Sequence, residues 1–362
     1  MLLTRSTYHR SNALLRRVSI AASTLALLAG LPAGAQAAAT RAPELVIDGA
    51  GDGHGVGMSQ DGALGYAEHG WTYTAILGHY YTGTAIGQAP GNTVVKVLVG
   101  SKVKSVPLET YVRGVISAEV SASWPMAALE AQAVASRTFA LTAHAGGSKF
   151  DVYADDRSQV YLGKAAETSR TNTAVTATAG QIVTYAGQPA ITYFFAGSGG
   201  QTESVQNAFP GSAPEPWLVS VADPYEAGPL RHWTQTLSFA SATSRLGGLV
   251  KGSLSGIEVL KRGSSPRIVS AEVLGSKGSS LVSGPELEAR LGLYSTWAYF
   301  SVASSHGLHA EPDVSGHGTP APTPTPTAQP AKVGGTGGAA ATAATPLIKA
   351  SEVDGQGGVP AR

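Results

Sequence analysis

Two consecutive helical patterns, each with a charged residue on its apolar stripe, constrain this chain more than any other feature. Apolar residues of the first pattern recur at spacings of three and four, the period of one helix face, at Leu108, Val112, Val115 and Ile116. Glu119 is the next position on that stripe. An ionised carboxylate on an apolar face is costly, so Glu119 is expected to be paired, protonated or used in chemistry.

The second pattern follows a break at Ser121–Ser123, which supplies capping oxygens, and Pro125, which suits the first turn of a helix. It covers residues 126–144, and its apolar stripe includes Arg137. A Glu and an Arg on the apolar faces of consecutive helices have two interpretations. They form a structural ion pair, or Glu119 is a general acid whose pKa is set by burial and a nearby cation. The residues alone leave both open.

Strand and helix patterns occur along the rest of the chain in uneven order, which predicts an α+β fold. A chain of 362 residues with 43% hydrophobic content can bury one large core or two modest ones. We therefore expect a single domain, either undivided or formed by two lobes around a groove, and the signal-peptide features of residues 1–37 indicate that it is secreted. The predicted strands lie at 44–48, 93–99, 102–106, 181–185, 190–195 and within 256–282, and further helices at 60–68, 73–81, 171–178 and 285–291.

Both ends of the chain differ in composition from the predicted domain at residues 38–310. Residues 1–37 have a basic start, an apolar run at 18–31 and a small-residue cleavage site at Ala35–Ala37, which is typical of a signal peptide. The apolar run is short for a membrane span, so no stable span is expected after cleavage. Residues 311–362 are rich in Pro, Thr, Gly and Ala, and we expect a disordered tail because they cannot bury a core.

Charge and cysteine content exclude several classes of protein. The predicted signal peptide holds four arginines and no acidic residue, so its removal changes the formal net charge from +1 to −3. No basic field then remains to attract nucleic acid, and no nucleic-acid partner is expected. Cysteine is absent, which excludes disulfides and cysteine-ligated zinc.

A glycine-rich loop, GAGDGHGVGMSQ at residues 49–60, follows the first predicted strand. Its glycines do not fit the dinucleotide-binding spacing, and no P-loop lysine follows them. The glycines are therefore expected to permit unusual backbone angles or the close approach of another chain, such as a sugar. His54, His69 and His79 are not spaced as a pair on one helix face, and no metal site is predicted.

A second loop of glycines and hydroxyl residues, AGSGGQTES at residues 196–204, follows the predicted hairpin. Such a loop is either a plain turn or an edge that faces a ligand. It lacks the first glycine of a nucleophile elbow, so Ser198 is not predicted to be a nucleophile.

Four segments of the sequence are similar to motifs of one known family, the stage II sporulation protein D family, which includes the amidase enhancer LytB. They are the stretch LETYVRGVISAEVSASWPMAALEAQAVASRTFAL, the segment GHGVGMSQDGALGYAEHGWTYTAILGHYYTGT, the run Ser158–Tyr161 and the helix-like segment Thr171–Thr178. The resemblance covers about residues 48–303. In the family's familiar arrangement the glycine motif follows the glutamate helices, whereas here it precedes them, as in a circular permutation.

The resemblance implies a cell-wall protein, secreted and extracytoplasmic, that acts on peptidoglycan glycan strands. It implies a lytic transglycosylase that cleaves the bond between N-acetylmuramic acid and N-acetylglucosamine and leaves a 1,6-anhydro product, with no cofactor. Glu119 takes the place of the catalytic glutamate. The implied substrate contacts are Arg137, His54, Ser59, Gln60, Ser198 and Tyr161.

A second function from a different class stays open. The chain has Glu130 where many members of the family carry a lysine, and its motif order is altered. Both features favour a glycan-binding protein that cleaves nothing and assists a separate cell-wall amidase.

Overall fold

The computed structural model describes residues 43–304 and 307–310. The predicted signal peptide and tail lie outside the described residues. Helices and mostly antiparallel sheets are mixed along the chain, which confirms the α+β class. The helices are α1 (Gln60–Glu68), α2 (Tyr73–Tyr80), α3 (Leu108–Glu119), α4 (Met126–Thr142), α5 (Ser169–Ala177), α6 (Val205–Ala208), α7 (Phe239–Leu246) and α8 (Gly284–Leu291).

Fifteen strands lie in the described ranges, and all of them belong to five small sheets of two to four strands. They are β1 (Glu44–Gly49), β2 (Met58–Ser59), β3 (Ala85–Gln88), β4 (Val94–Val99), β5 (Lys102–Pro107), β6 (Val152–Tyr153), β7 (Gln181–Tyr185), β8 (Gln188–Pro189), β9 (Phe194–Phe195), β10 (Trp233–Ser238), β11 (Leu254–Arg262), β12 (Ile268–Gly275), β13 (Gly278–Ser283), β14 (Ala298–Ser304) and β15 (Gly307–Ala310).

The two helices predicted from the central stretch are confirmed. α3 begins directly after β5 and ends at Glu119, where Val120 takes an extended conformation. A turn at Ser121–Trp124 follows, closed by the Trp124 N–H donating to the Ser121 carbonyl at 3.1 Å. α4 then starts after Pro125, whose fixed φ suits a helix start.

α4 is the central helix of this part of the fold. It packs against α1, α2, α3, α5 and β7. Most of its side chains are buried, and many are alanines, which let neighbouring elements approach closely from several sides. A helix buried around most of its circumference belongs to a core and not to a surface layer. Polar side chains on α4 are therefore forced to find partners inside the protein.

Buried apolar side chains within residues 43–303 form three clusters. The first lies between α4 and the pair α1–α2 and includes Ile76, Leu77 and Val134. The second lies between α4, α3 and the sheet β5-β4-β6 and includes Val97, Ile116 and Leu129. The third is formed by β1, β10–β14, α7 and α8.

The third cluster joins the two ends of the described region. β1 lies between β10 and β14 in an antiparallel sheet, with Leu45 opposite both Leu237 and Val302. Glu44 is opposite Ala303, so the first and last parts of the domain lie side by side. Adjacent ends are what a circular permutation requires.

Candidate functional site

Glu119 is the last residue of α3, and its carboxyl group is held by two N–H donors. Oε1 accepts from the backbone N–H of Val160 at 2.6 Å. Oε2 accepts from the side-chain amide of Gln60 at 3.3 Å. Val160 lies in the loop after β6, and Gln60 lies at the start of α1. Two segments that are distant from α3 in the sequence therefore hold the carboxyl group in place.

Gly114 brings the Val160 loop against α3. The N–H of Leu162 donates to the Gly114 carbonyl at 3.0 Å. A Cβ atom at position 114 would lie 2.6 Å from the Tyr161 ring and 2.8 Å from the Gly163 Cα. The ring of Tyr161 stacks on Tyr111 with centroids 5.1 Å apart. A helix glycine is required here because any side chain would push the loop, and with it the Val160 donor, away from Glu119.

The glycine-rich loop places Gln60. Gly51, Gly53, Gly55 and Gly57 all have positive φ, which confirms the predicted unusual backbone angles. The loop packs on the protein's own chain: a Cβ at Gly57 would lie 2.1 Å from the Tyr193 carbonyl oxygen.

The two residues after this loop pass from β2 into α1. β2 pairs in parallel with β9, and Ser59 caps α1 by accepting from the Gly62 N–H at 3.0 Å. Gln60 therefore starts the helix in a fixed position.

A chain of buried amides continues behind Gln60. The Nε2 of Gln60 also donates to Gln132 Oε1 at 3.5 Å, and Gln132 Nε2 donates to Ser136 Oγ at 3.1 Å. Gln159 Nε2 donates to the Ser136 carbonyl at 3.1 Å. Gln132 and Ser136 lie one turn apart on α4, so the central helix supports the Glu119 site from behind.

Burial raises the pKa of the half-buried Glu119 carboxyl, while the N–H groups of Val160 and Gln60 lower it. Burial is the larger effect, because removing a carboxylate from water disfavours its charged form. A carboxyl group with a raised pKa is protonated more readily than an exposed glutamate, which suits a group that must donate a proton.

Arg137 does not pair with Glu119. Its Nε and Nη2 donate to the two oxygens of Glu109, both at 2.8 Å, and its Nη1 donates to the Gln181 carbonyl at 3.1 Å. The interpretation of Glu119 and Arg137 as an ion pair is therefore wrong. Arg137 is fully buried, so a direct sugar contact does not fit its position.

The two serines predicted as ligand contacts are also fully buried. Ser59 is occupied as the α1 cap, and Ser198 accepts from the Gly200 N–H at 3.0 Å. Their hydroxyl groups are closed to a ligand at the protein surface, so a direct sugar contact does not fit them either. The predicted edge loop at 196–204 is a packed corner against the glycine-rich loop, with Gly197 bonded to Asp52.

His54 and Tyr161 have different surroundings. The His54 ring packs among Tyr193, Phe195 and Phe209 at centroid distances of 5.1–6.1 Å. Burial, with a smaller effect of Arg267, lowers the pKa of His54 to about 4, so it is neutral at pH 7. Tyr161 is half-buried and follows Val160 in the chain, and its ring stacks on Tyr111 and lies against Gly114. The structure therefore brings Gln60 into contact with Glu119, whereas the ring contacts of Tyr161 and His54 are with other residues.

Sequence reasoning missed four members of the site. The Val160 contribution is a backbone N–H, which no side-chain pattern reveals. Gln132, Ser136 and Gln159 are buried polar residues. Gln132 and Ser136 were detectable, since two polar residues four apart on a helix full of alanines indicate a buried hydrogen-bonded stripe.

A cluster of acidic side chains beside α1 was also missed. Burial raises the pKa of Asp61 to about 6, with added repulsion from Glu226, Asp52 and Asp223. Asp223 is fully buried near Ser59, Ser198 and Tyr80, and burial raises its pKa to about 6. Across the described ranges, no group of three or more His, Asp or Glu side chains is arranged to hold a metal ion.

Comparison with known proteins identifies the central stretch. Residues 100–185 match the family model described as Stage II sporulation protein (SpoIID). An uncharacterized protein of Brachyspira hyodysenteriae is 36% identical over 187 residues, which is 51% of this chain and 48% of that protein. Stage II sporulation protein D of Bacillus subtilis is 28% identical over 225 residues, 57% of this chain and 64% of that protein.

The Amidase enhancer of Bacillus subtilis is 36% identical over 126 residues, 35% of this chain and 17% of that protein. The chain thus spans from about half to just under two thirds of the two longer-matching relatives. None of the described helices is both long and apolar enough to cross a membrane.

Proposed function

This chain belongs to the SpoIID/LytB family, whose members' names point to a cell-wall-related function, and on that premise we propose that it is a secreted peptidoglycan lytic transglycosylase. The proposed substrate is the bond between N-acetylmuramic acid and N-acetylglucosamine in glycan strands. One observation carries the proposal: a half-buried carboxyl group at Glu119, held by two N–H donors, with burial raising its pKa. An arginine ion pair would have lowered that pKa, and the arginine is bound to Glu109 instead.

In the proposed reaction Glu119 acts twice. Protonated Glu119 donates its proton to the glycosidic oxygen as the bond from that oxygen to C1 of muramic acid breaks. The 6-hydroxyl of the same muramic acid then attacks C1, and its proton passes to the Glu119 carboxylate. The leaving sugar gains a hydroxyl, the muramic acid gains a 1,6-anhydro ring, and Glu119 ends protonated. One carboxyl group serves both steps, in contrast to the two carboxylates of ordinary glycoside hydrolases.

A second candidate function is a non-catalytic amidase enhancer that binds glycan. The similarity to a protein of that name supports it, as does Glu130 on α4, at a position where the resemblance to the family implies a lysine. A carboxylate there removes a cationic contact for the substrate. In this alternative, Glu119 is a binding group and a separate cell-wall amidase makes the cut.

The test is Glu119→Gln, with products of purified glycan strands analysed by mass spectrometry. Glutamine keeps the shape of the side chain but cannot donate and then recover a proton. We expect cleavage to fall by at least ~10²-fold, the lower end for general acid–base catalysis. Glycan binding should persist, and wild-type products should carry 1,6-anhydro ends.

Glu68→Gln is the matched control, because it makes the same chemical change at a residue that is exposed at the end of α1. It should leave cleavage unchanged. Reducing ends in the products would indicate hydrolysis and a second carboxylate. Absence of cleavage by the wild type, with binding retained by both proteins, would support the enhancer and reject the transglycosylase.

A further inference from the structure

Both hydrogen-bond partners of Glu119 are donors. The Val160 N–H is a backbone amide, and the Gln60 contact is made by Nε2 of its side chain. An amide nitrogen that donates has no lone pair available to receive a proton. When Glu119 is protonated, neither partner can take that proton. It is left for a third group, which in the proposed reaction is the glycosidic oxygen.

The side chain of Gln60 could in principle turn its carbonyl oxygen toward Glu119. Its neighbours determine which way it faces. Gln132 Oε1 accepts from Gln60 Nε2, while Gln132 Nε2 donates to the Ser136 hydroxyl. Turning Gln60 would place its carbonyl oxygen against the Gln132 oxygen and against the ionised Glu119 carboxylate, which only accept, so Gln60 keeps Nε2 between them. The orientation of one amide fixes that of the next along α4 and α1.

We propose that Gln60 is a positioning residue for the acid–base step: the amide relay Ser136–Gln132–Gln60 holds an N–H donor on Glu119 and leaves its proton free for the glycan. This role deepens the proposed function and rests on it. The family resemblance implies a sugar contact for Gln60. Its low exposure and its two side-chain partners fit an internal role better.

Few other groups act on the charge of Glu119. On α3 itself, Tyr111 faces it, and burial raises the pKa of that hydroxyl, so Tyr111 is neutral at pH 7. From the Val160 loop the contribution is the backbone N–H, and from α1 it is Gln60. Within the part of the chain that the structure describes, no charged side chain is a leading influence on the pKa of Glu119. Loss of the Gln60 donor should therefore be visible in the titration of Glu119.

The experiment measures the pKa of Glu119 directly, by carbon NMR of the side-chain carboxyl in protein labelled at glutamate. The variant is Gln60→Met, which has a similar volume and no donor. We expect the pKa of Glu119 to rise, because a hydrogen bond to the carboxylate favours the charged form and is lost. Cleavage at neutral pH should fall by about tenfold or more, since the carboxyl group is no longer held in place.

Gln132→Met is the second variant. It leaves Gln60 intact and does not touch Glu119, but it frees the Gln60 amide to turn. A rise in the pKa of Glu119 smaller than that in Gln60→Met is expected, whereas a merely structural role for Gln132 would leave that pKa unchanged. Gln206→Met, at an exposed position on α6, is the matched control and should change nothing.

An unchanged pKa of Glu119 in folded Gln60→Met would overturn the inference. The two proposals also fail separately. If the pKa rises in both variants but the wild type cleaves no glycan, Gln60 positions Glu119 and the transglycosylase proposal is rejected. If the wild type cleaves and the pKa does not move, the transglycosylase stands and the relay is rejected.

Discussion

Gly114 shows how a single missing side chain shapes the Glu119 site. A glycine inside a helix normally costs about 1 kcal/mol relative to alanine. Glycine is needed at position 114 because the Val160 loop packs directly on the helix backbone, and a Cβ atom there would lie 2.6 Å from the Tyr161 ring. The loop supplies the N–H that binds Glu119 Oε1.

We expect Gly114→Ala to destabilise the protein, although alanine is the better helix former. Forcing an extra methyl group into a packed site costs about 1–3 kcal/mol, which exceeds the gain in helix propensity. The same change should reduce glycan cleavage, since the Val160 donor moves away from Glu119. Chemical denaturation and the product assay measure the two effects.

Gly78→Ala is the matched control for that substitution. Gly78 lies in α2, and a Cβ there would meet no atom within 4 Å. It should stabilise the fold by about 0.5–1 kcal/mol. A stabilising Gly114→Ala variant would contradict the close approach of the loop.

At the scale of elements, the ion pair of Arg137 and Glu109 ties α4 to α3. Glu109 Oε1 also accepts from the Gly180 N–H at 3.1 Å, and Arg137 Nη1 reaches the Gln181 carbonyl, so the start of β7 is held by the same pair. Arg137 is fully buried, whereas about a third of the Glu109 side chain is exposed. Loss of Glu109 therefore leaves a buried cation without a partner carboxylate, whereas loss of Arg137 leaves a carboxylate that solvent can reach.

Glu109→Gln should destabilise the fold more than Arg137→Met. The first leaves a buried cation without its carboxylate, at a cost of roughly 3 kcal/mol, and the second leaves a carboxylate that water can reach. Unfolding free energies of the two variants test the order. Arg137→Met should retain cleavage per folded molecule, whereas a substrate contact at Arg137 would require that cleavage be lost.

At the scale of the whole molecule, the acidic cluster beside α1 makes stability depend on pH. Asp223 is fully buried, and the pKa of its carboxyl is raised to about 6 from a usual 3.8. A carboxyl group whose pKa is raised in the folded state stabilises that state below its unfolded pKa. The stabilisation is lost as pH rises through the folded pKa. At pH 8 the folded protein must bury the charge.

We expect Asp223→Asn to gain stability relative to the wild type as pH rises from 4 to 7, with most of the gain below the folded pKa of about 6. The amide carries no charge to bury, so the variant lacks the loss that the wild type suffers in this interval. His54, whose pKa is lowered, contributes equally to both proteins and cancels in the difference. Thermal melts of both proteins at several pH values measure this difference in stability.

Asp48→Asn, on an exposed position of β1, controls for the substitution itself. A difference in stability between Asp223→Asn and the wild type that stays constant from pH 4 to pH 7 would contradict the buried charge.

Local patterns predicted the helices around Glu119 well, because the spacing of apolar residues and the proline after the break are local signals. They also placed Glu119 on a buried stripe. They left open whether Arg137 pairs with Glu119, since Glu109 and Glu119 lie on the same helix and only the packing of α3 on α4 decides which of them Arg137 contacts. Ser198 and the Val160 N–H depend on loops folded against distant segments, and no local period encodes those contacts.

The sheet that holds β1 has a consequence for how the chain acquires its structure. Leu45 is among the earliest residues of the domain to be synthesised, yet its neighbours in the sheet are Leu237 and Val302. Pairings this distant in sequence are slow to form, because a long segment must first be ordered or brought back on itself. α1 to α5 and their neighbours can assemble while β1 still has no partner. β1 is therefore paired on both sides only after β14 has been synthesised, and until then an open strand edge is exposed to other chains.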